Sequence, residues 1–390
     1  MFSCCVTSPE KLAERKAKYL LGNVDKLDED LQQWLQKEAS QCQLIEHHKK
    51  KKNGAIKDND TTNQSDALDI ALSPDQENTR DSSTPDVQNT LEIAPDNAHL
   101  FSPISSAPVG MRDRQTYRMW KAMIELSESF ICKTHITDIP KTLHFFPLET
   151  YDIPTLDDFD INGMNFLQFL VKFLEVFFPG LTVIHEDLFD INIHMNDVIT
   201  SRFHKVTGKK QFLVRDLYCN LHKSTKVPYR HYILGLTWTD LYPKEELNFV
   251  LGEASSGSKC AVLGFGRYEP MTFKEGDEVE LMMDGALLWQ LLRVASHETT
   301  HLFGIKHCMF FSCAMNESKS VKAALDQPLF LCPVCLRKLQ KFLGFDIRKR
   351  YSDLLELCTA VQNSYPSPQL NQSVEWLKRC VTSLSDPAHR

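Results

Sequence analysis

No run of about 18 apolar residues occurs anywhere in the 390-residue chain, the length a helix needs to cross a bilayer core. The opening stretch MFSCCVTSPEKL lacks the apolar centre of a secretory signal, and residue 2 is Phe2 where a myristoyl acceptor would be glycine. These absences lead us to expect a protein of the cytoplasm and/or nucleus, not a secreted one. Cys4 and Cys5 form a weak acylation pattern, for which two free thiols are the plainer reading. No internal repeat is visible, and an average composition, 42% apolar and 24% charged, excludes a collagen-like or wholly disordered chain.

Excess basic charge is missing too. Asn53 to Leu100 holds ten Asp/Glu and two Lys/Arg, a balance of −8 against −7 for the whole chain, so the remainder carries +1. Phosphate-binding proteins present a basic face, and no nucleic-acid partner is expected from this balance. The dense basic run Lys49 to Lys52 reads as a solvated helix end leading into a linker, with an import tag as the alternative. Phe, Tyr, Trp and Cys are all absent between Asn53 and Leu100, so that stretch has too little apolar surface to offset its ordering entropy. The chain therefore divides into an N-terminal helical element (1–48), a disordered acidic and polar linker (49–98) and a main domain (99–385).

What is present follows a mixed α and β pattern. Arg112 to Phe130 reads as an amphipathic helix and Lys141 to Leu148 as a strand; Asn165 to Phe178 is a strongly apolar helix stopped by Pro179-Gly180, and Leu181 to His185 begins another strand. Gln211 to His222 suggests a helix, Tyr232 to Thr239 a buried strand, and Asn248 to Glu253 and Cys260 to Tyr268 two more strands. Elements alternate up to one last helix, Leu287 to Phe303, with Leu287, Leu288, Leu291, Leu292 and Ala295 on its core face. The fold class expected is α+β, a mixed twisted sheet backed by helices.

That last helix carries His297-Glu298-Thr299-Thr300-His301, followed by Gly304 and His307. Histidines four apart lie one turn apart on one side of a helix, where their imidazoles converge on one cation. Glu298 is rotated about 100° from His297, beside the position such a cation leaves open and not on the ion itself. Gly304 suits the left-handed residue that ends a helix and lets the chain swing back to present His307. Three nitrogens with one position left to water is the donor set of a catalytic zinc, with Glu298 as general base.

Twelve cysteines in a reducing compartment point to thiols and metal sites instead of disulfides. Cys308 and Cys313 follow the third histidine, and Cys332-Pro333-Val334-Cys335 is a knuckle whose two-residue spacing brings both thiolates to one tetrahedral ion. Four thiolates close a coordination sphere, so this second zinc is expected to be structural. Cys42, Cys132, Cys219, Cys260, Cys358 and Cys380 have no ligand spacing and are read as packing residues.

With His297, Glu298, His301, Gly304, His307, Cys308, Cys313, Met315, Cys332 and Cys335 all in place, the sequence resembles the archaemetzincins, a metzincin-like family of zinc metalloproteases. The match is densest from about Tyr232 to Gly344, with looser similarity in the N-terminal helix and at LFSP, 100 to 103. The resemblance implies two zinc ions per chain, one catalytic on the histidines and one structural on the cysteines. It also implies a metzincin-like metalloprotease fold, with the sheet and active-site helix in an upper lobe to about residue 304 and a small lower lobe from 305. Met315 becomes the Met-turn residue beneath the site, a role its spacing alone does not give it. Cys260 to Tyr268 becomes the edge strand above the cleft, with Arg267 and Tyr268 near an added peptide strand. Thr299-Thr300 departs from the apolar residue and glycine of many relatives, which bears on cleft width.

The function expected is zinc-dependent hydrolysis of peptide bonds in a peptide or protein substrate, by zinc-activated water with a glutamate general base. The alternative is a catalytically weak or inactive zinc-stabilised protein-binding module. Sequence alone sets no oligomeric state.

Overall fold

The computed structural model describes residues 9–42, 100–104, 115–132, 139–150, 154–268, 283–318 and 327–385. Cys4, Cys5, the basic run Lys49 to Lys52 and the linker expected at 49–98 lie outside the described residues. Helices α1 (Pro9–Leu21) and α2 (Glu29–Ser40) are separated by Gly22, whose φ of +69° ends the first, while the Asp28 carboxylate caps the second by accepting from Leu31 N at 3.0 Å. Helix α3 (Tyr117–Cys132) follows, starting five residues later than its periodicity suggested.

A five-stranded sheet forms the centre. Its strands are β1 (Thr142–Pro147), β2 (Thr182–His185), β5 (Tyr232–Thr237), β7 (Gly252–Ser255) and β8 (Cys260–Gly264), in the order β2-β1-β5-β8-β7. The first four of that order run parallel and β7 is antiparallel to β8, so the sheet is mixed. Each residue of β5 and of β8 is buried, as expected of strands covered on both faces. After β1 come the single turn α4 (Pro154–Asp157) and then α5 (Phe166–Phe177), which returns the chain to β2. Asn165 and Gln168 close a reciprocal capping box at the start of α5. Its buried face of Phe166, Phe169, Leu170, Phe173, Leu174 and Phe177 contributes on the order of 10 kcal/mol of transfer free energy before entropy is charged.

A second turn of helix, α6 (Ile191–His194), leads to a three-stranded sheet of β3 (Ser201–Phe203), β4 (Lys210–Leu213) and β6 (Asp240–Tyr242), ordered β3-β4-β6. Here the structure corrects the sequence reading: Gln211 to Leu213 is the end of a strand, and helix α7 covers Val214–Thr225. The apolar run FLV is common to both elements, and period alone does not divide it. A second correction concerns the sheet edge. Cys260–Gly264 is interior, between β5 and β7, and the edge strand is β7, which begins only at Gly252. Arg267 is no peptide contact either: it is buried, its guanidinium 2.7 Å from the buried Asp240 carboxylate and stacked over the Phe249 ring.

Helix α8 (Gly285–Leu302) is capped by Asp284, which accepts from Leu287 N at 2.8 Å. It is not the last. Among the described residues three helices follow: α9 (Pro333–Leu343), α10 (Ile347–Ser364) and α11 (Pro368–Ser385). They close back onto the earlier chain. Arg350 Nε of α10 donates to Phe177 O of α5 at 2.8 Å, Trp289 Nε1 of α8 to Ser373 Oγ of α11 at 3.3 Å, and Trp34 Nε1 of α2 to Ser383 Oγ at 3.1 Å. One continuous apolar cluster runs from α1 and α2 through the sheet to α11. Among the described residues no helix is long and apolar enough to cross a membrane.

Candidate metal centre

Helix α8 and the loop after it gather three histidines. His297 and His301 present Nε2 atoms 3.0 Å apart, and one ligand atom from each of His297, His301 and His307 lies within 4.8 Å of the others. Ring centroids are 4.7 Å apart for 297 and 301, 5.0 Å for 301 and 307, and 5.4 Å for 297 and 307. His297 is buried, whereas His301 and His307 are half-buried, so the cluster opens on their side.

Backbone carbonyls fix the tautomers. His297 Nδ1 lies 2.6 Å from Ala314 O and His301 Nδ1 lies 2.7 Å from Ile305 O. A carbonyl only accepts, so both Nδ1 atoms carry the proton and both Nε2 atoms turn a lone pair inward. Two inward lone pairs at 3.0 Å repel unless a cation lies between them. Tetrahedral zinc at about 2.0–2.1 Å from nitrogen sets ligand nitrogens about 3.3 Å apart. The histidines fit such an ion.

Glu298 is fully buried, one residue on from His297, and its side chain lies against Gly252 at the start of the edge strand. Thr300, also fully buried, donates its hydroxyl to Ser296 O at 2.6 Å, one turn back on the same helix. The residue that departs from the family pattern thus turns its hydroxyl onto its own helix.

Gly304 has φ of +70°, and a Cβ there would stand 2.5 Å from Ile124 Cδ1 of α3. Glycine is required twice over, by the turn and by the close approach of α3. Beyond it the chain holds Cys308 and Cys313; Cys332 is the N-cap of α9 and Cys335 sits in that helix's first turn. All four sulfurs lie within 4.8 Å of one another, with Cys308 and Cys332 at 3.6 Å. Zinc at about 2.3 Å from sulfur asks for about 3.8 Å. Cys313 Sγ accepts from Cys332 N at 3.2 Å and Met315 N at 3.5 Å. Hydrogen bonds from Cys313, Cys332 and Cys335 hold the Cys308 thiol well below its usual range, while burial pushes Cys313 and Cys332 up. Only a cation would hold all four as thiolates, and the cage is the size for one.

Met315 is fully buried, and its carbonyl accepts from Cys308 N at 2.6 Å. Asn316, which sequence reading passed over, ties the loop: Oδ1 accepts from Cys313 N at 2.7 Å, and Nδ2 donates to Cys308 O at 2.8 Å and Phe311 O at 2.9 Å. The LFSP segment runs alongside, with Ile104 N donating to Phe310 O at 3.1 Å and Ser312 N to Ser102 O at 2.8 Å. Asn316 acts within its own loop without ligand spacing to mark it, and the LFSP contacts join segments far apart in the sequence.

Residues 190–341, a stretch that includes all seven clustered ligands, match the model of Peptidase family M54. Over this stretch the chain is similar to the archaemetzincins. It is 28% identical to mouse Archaemetzincin-2 over 277 residues, which are 60% of this chain and 74% of that one. It is 34% identical to human Archaemetzincin-1 over 166 residues, 37% of this chain and 33% of that protein's length. Among solved structures, an archaemetzincin from Methanopyrus kandleri matches at 23% identity with a TM-score of 0.39, covering 53% of this chain and 98% of its own.

Proposed function

We propose that this chain is a zinc metallopeptidase in which His297, His301 and His307 hold the catalytic ion and Glu298 is the general base. A zinc ion there would supply a polarised, readily deprotonated water and a Lewis acid for the carbonyl of the scissile bond. The observation that carries the reading is the pair of inward Nε2 atoms at 3.0 Å, each made a lone-pair donor by a backbone carbonyl at its Nδ1. The match of residues 190–341 to a peptidase family supports the same reading.

The residues of the chain divide the work. His297 and His301 come pre-oriented, so little ordering entropy is left to be lost on binding. Glu298 is sequestered from bulk water between α8 and β7, where its carboxylate would take the proton of the attacking water and return it to the leaving amine. Among the described residues β7 pairs with β8 alone, and an extended peptide would add as a strand on its other side. Cys308, Cys313, Cys332 and Cys335 would hold a second, structural zinc that pins the His307 loop to α9, with Met315 packed in that loop and Gly304 turning the chain into it.

Metal analysis of the isolated protein should give two zinc ions per chain. Glu298→Gln should retain both ions and lose cleavage of an unstructured peptide library by at least about 100-fold, the lower end of what a general base contributes. Hydrolysis by the variant at the wild-type rate would remove Glu298 from the role.

A further inference from the structure

A buried side chain far from the motif, Gln115, stands just behind the histidine site. It lies 189 positions before Gly304 in the sequence, and its Nε2 donates to Gly304 O at 2.9 Å. Its Oε1 accepts from Lys306 N at 3.0 Å and from Lys338 Nζ at 3.0 Å, while its backbone carbonyl takes a second bond from Lys338 at 2.7 Å. Two donors converging on Oε1 settle which way the amide faces. Lys338, on α9, is itself buried. Trp120 Nε1 completes the set by donating to Phe303 O at 3.0 Å.

Peptide geometry ties this network to the metal. Lys306 N–H and Ile305 C=O belong to one planar peptide unit and point in opposite directions. One end of that unit is held by Gln115 Oε1, and the other accepts from His301 Nδ1 at 2.7 Å. The Gly304 carbonyl, also held by Gln115, belongs to the peptide unit just before it. Gln115 therefore fixes both peptide planes flanking Ile305, and with them the acceptor that sets the tautomer and tilt of the His301 ring. Hydrogen bonds in series through one peptide group also polarise each other in the same sense, which makes Ile305 O a better acceptor.

We propose that Gln115, backed by Lys338, is a positioning residue of the histidine site, acting on His301 and the His307 loop through the peptide unit between Ile305 and Lys306. It touches neither the ion nor substrate. The proposal rests on the reading of the three histidines as a cation site.

Cobalt titration of the full chain, in competition with a chelator of known affinity, tests it, because thiolate-bound and imidazole-bound cobalt differ in absorption and the two sites are read separately. Gln115→Leu, which keeps the volume and removes the hydrogen bonds, should weaken the histidine site by about ten- to a hundredfold and leave the cysteine site within about twofold of wild type. Lys338→Met should act in the same direction and less strongly. Gln115→Glu keeps an acceptor for Lys306 N and Lys338 and should recover affinity to within about threefold of wild type. Retained thiolate bands show that each variant is folded around its cysteine cage. Unchanged histidine-site affinity in Gln115→Leu, or equal weakening of both sites, overturns the proposal and leaves Gln115 a structural residue. Wild-type protein that takes up cobalt only at the cysteines overturns the cation-site reading and this one with it.

Discussion

Gly252, the first residue of the edge strand β7, packs directly on Glu298 of helix α8. A Cβ at 252 would stand 2.8 Å from Glu298 Cγ, 3.2 Å from its Cδ and 3.0 Å from Val262 O on the neighbouring strand. The strand backbone on the other side cannot retreat, so an added methyl displaces the glutamate. Gly252→Ala should lower kcat by about tenfold or more while both ions stay bound, and should cost about 1–3 kcal/mol of stability through overpacking. Steady-state kinetics with metal analysis and thermal melts check it; an unchanged kcat would separate the base from this contact.

The two metal sites should release their ions in order. Neutral imidazoles around a position open to water hold zinc less firmly than a closed cage of four buried thiolates. A chelator titration should remove the histidine-bound ion first and abolish turnover with little change in Tm. Loss of the second ion, or Cys332→Ser, should lower Tm sharply because the cage ties the 308–313 loop to α9. Simultaneous release would contradict the assignment of separate roles.

At Gly304, Ala must adopt φ of +70° and push against Ile124 Cδ1 at 2.5 Å. The backbone term alone is about 1 kcal/mol, and the steric one adds to it. Gly304→Ala should therefore reduce both Tm and the affinity of the histidine site. Pairing it with Ile124→Ala should recover part of the loss, which a double-mutant cycle on Tm would measure.

His204 in the turn between β3 and β4 makes an acid-sensitive point away from the metal sites. Its Nδ1 accepts from Thr207 N at 3.2 Å, and burial, followed by the charges of Arg267 and Arg202, pushes its pKa down from 6.5 to about 4. The folded state thus takes up its proton at lower pH than the unfolded chain does. The contribution to stability is full above pH 6.5 and is lost as pH falls from there toward 4. In His204→Gln, Tm should fall less steeply than in wild type across that window; parallel curves would exclude His204 as the titrating group.

The clustering of the histidines and of the cysteines was legible because most of its spacing is local. His297 and His301 share a helix face by their spacing, Gly304 marks the turn, and Cys332 and Cys335 form a knuckle in four residues, so short-range geometry fixes what each can reach. Strands β1, β2 and β5 and helix α5 were readable for the same reason, their apolar period being strong. The end of β4 was not, because Gln211 to Leu213 carries an apolar run that a strand and a helix start both accept. The three described helices from Pro333 to Ser385 were not assigned from the sequence although their apolar residues recur at helical spacing.

Sequence by itself determined which atoms can bind metal and that one carboxylate accompanies them, since covalent spacing and helix pitch act over a few residues. Tertiary structure alone decided that β7 is the edge, that Gly252 walls in Glu298, that Arg267 belongs to Asp240 and that Gln115 and Lys338 stand behind His301. These relationships join residues tens to hundreds of positions apart. Their partners are chosen by the packing of the whole core, where burial leaves each polar group one or two companions within reach and no local pattern names them.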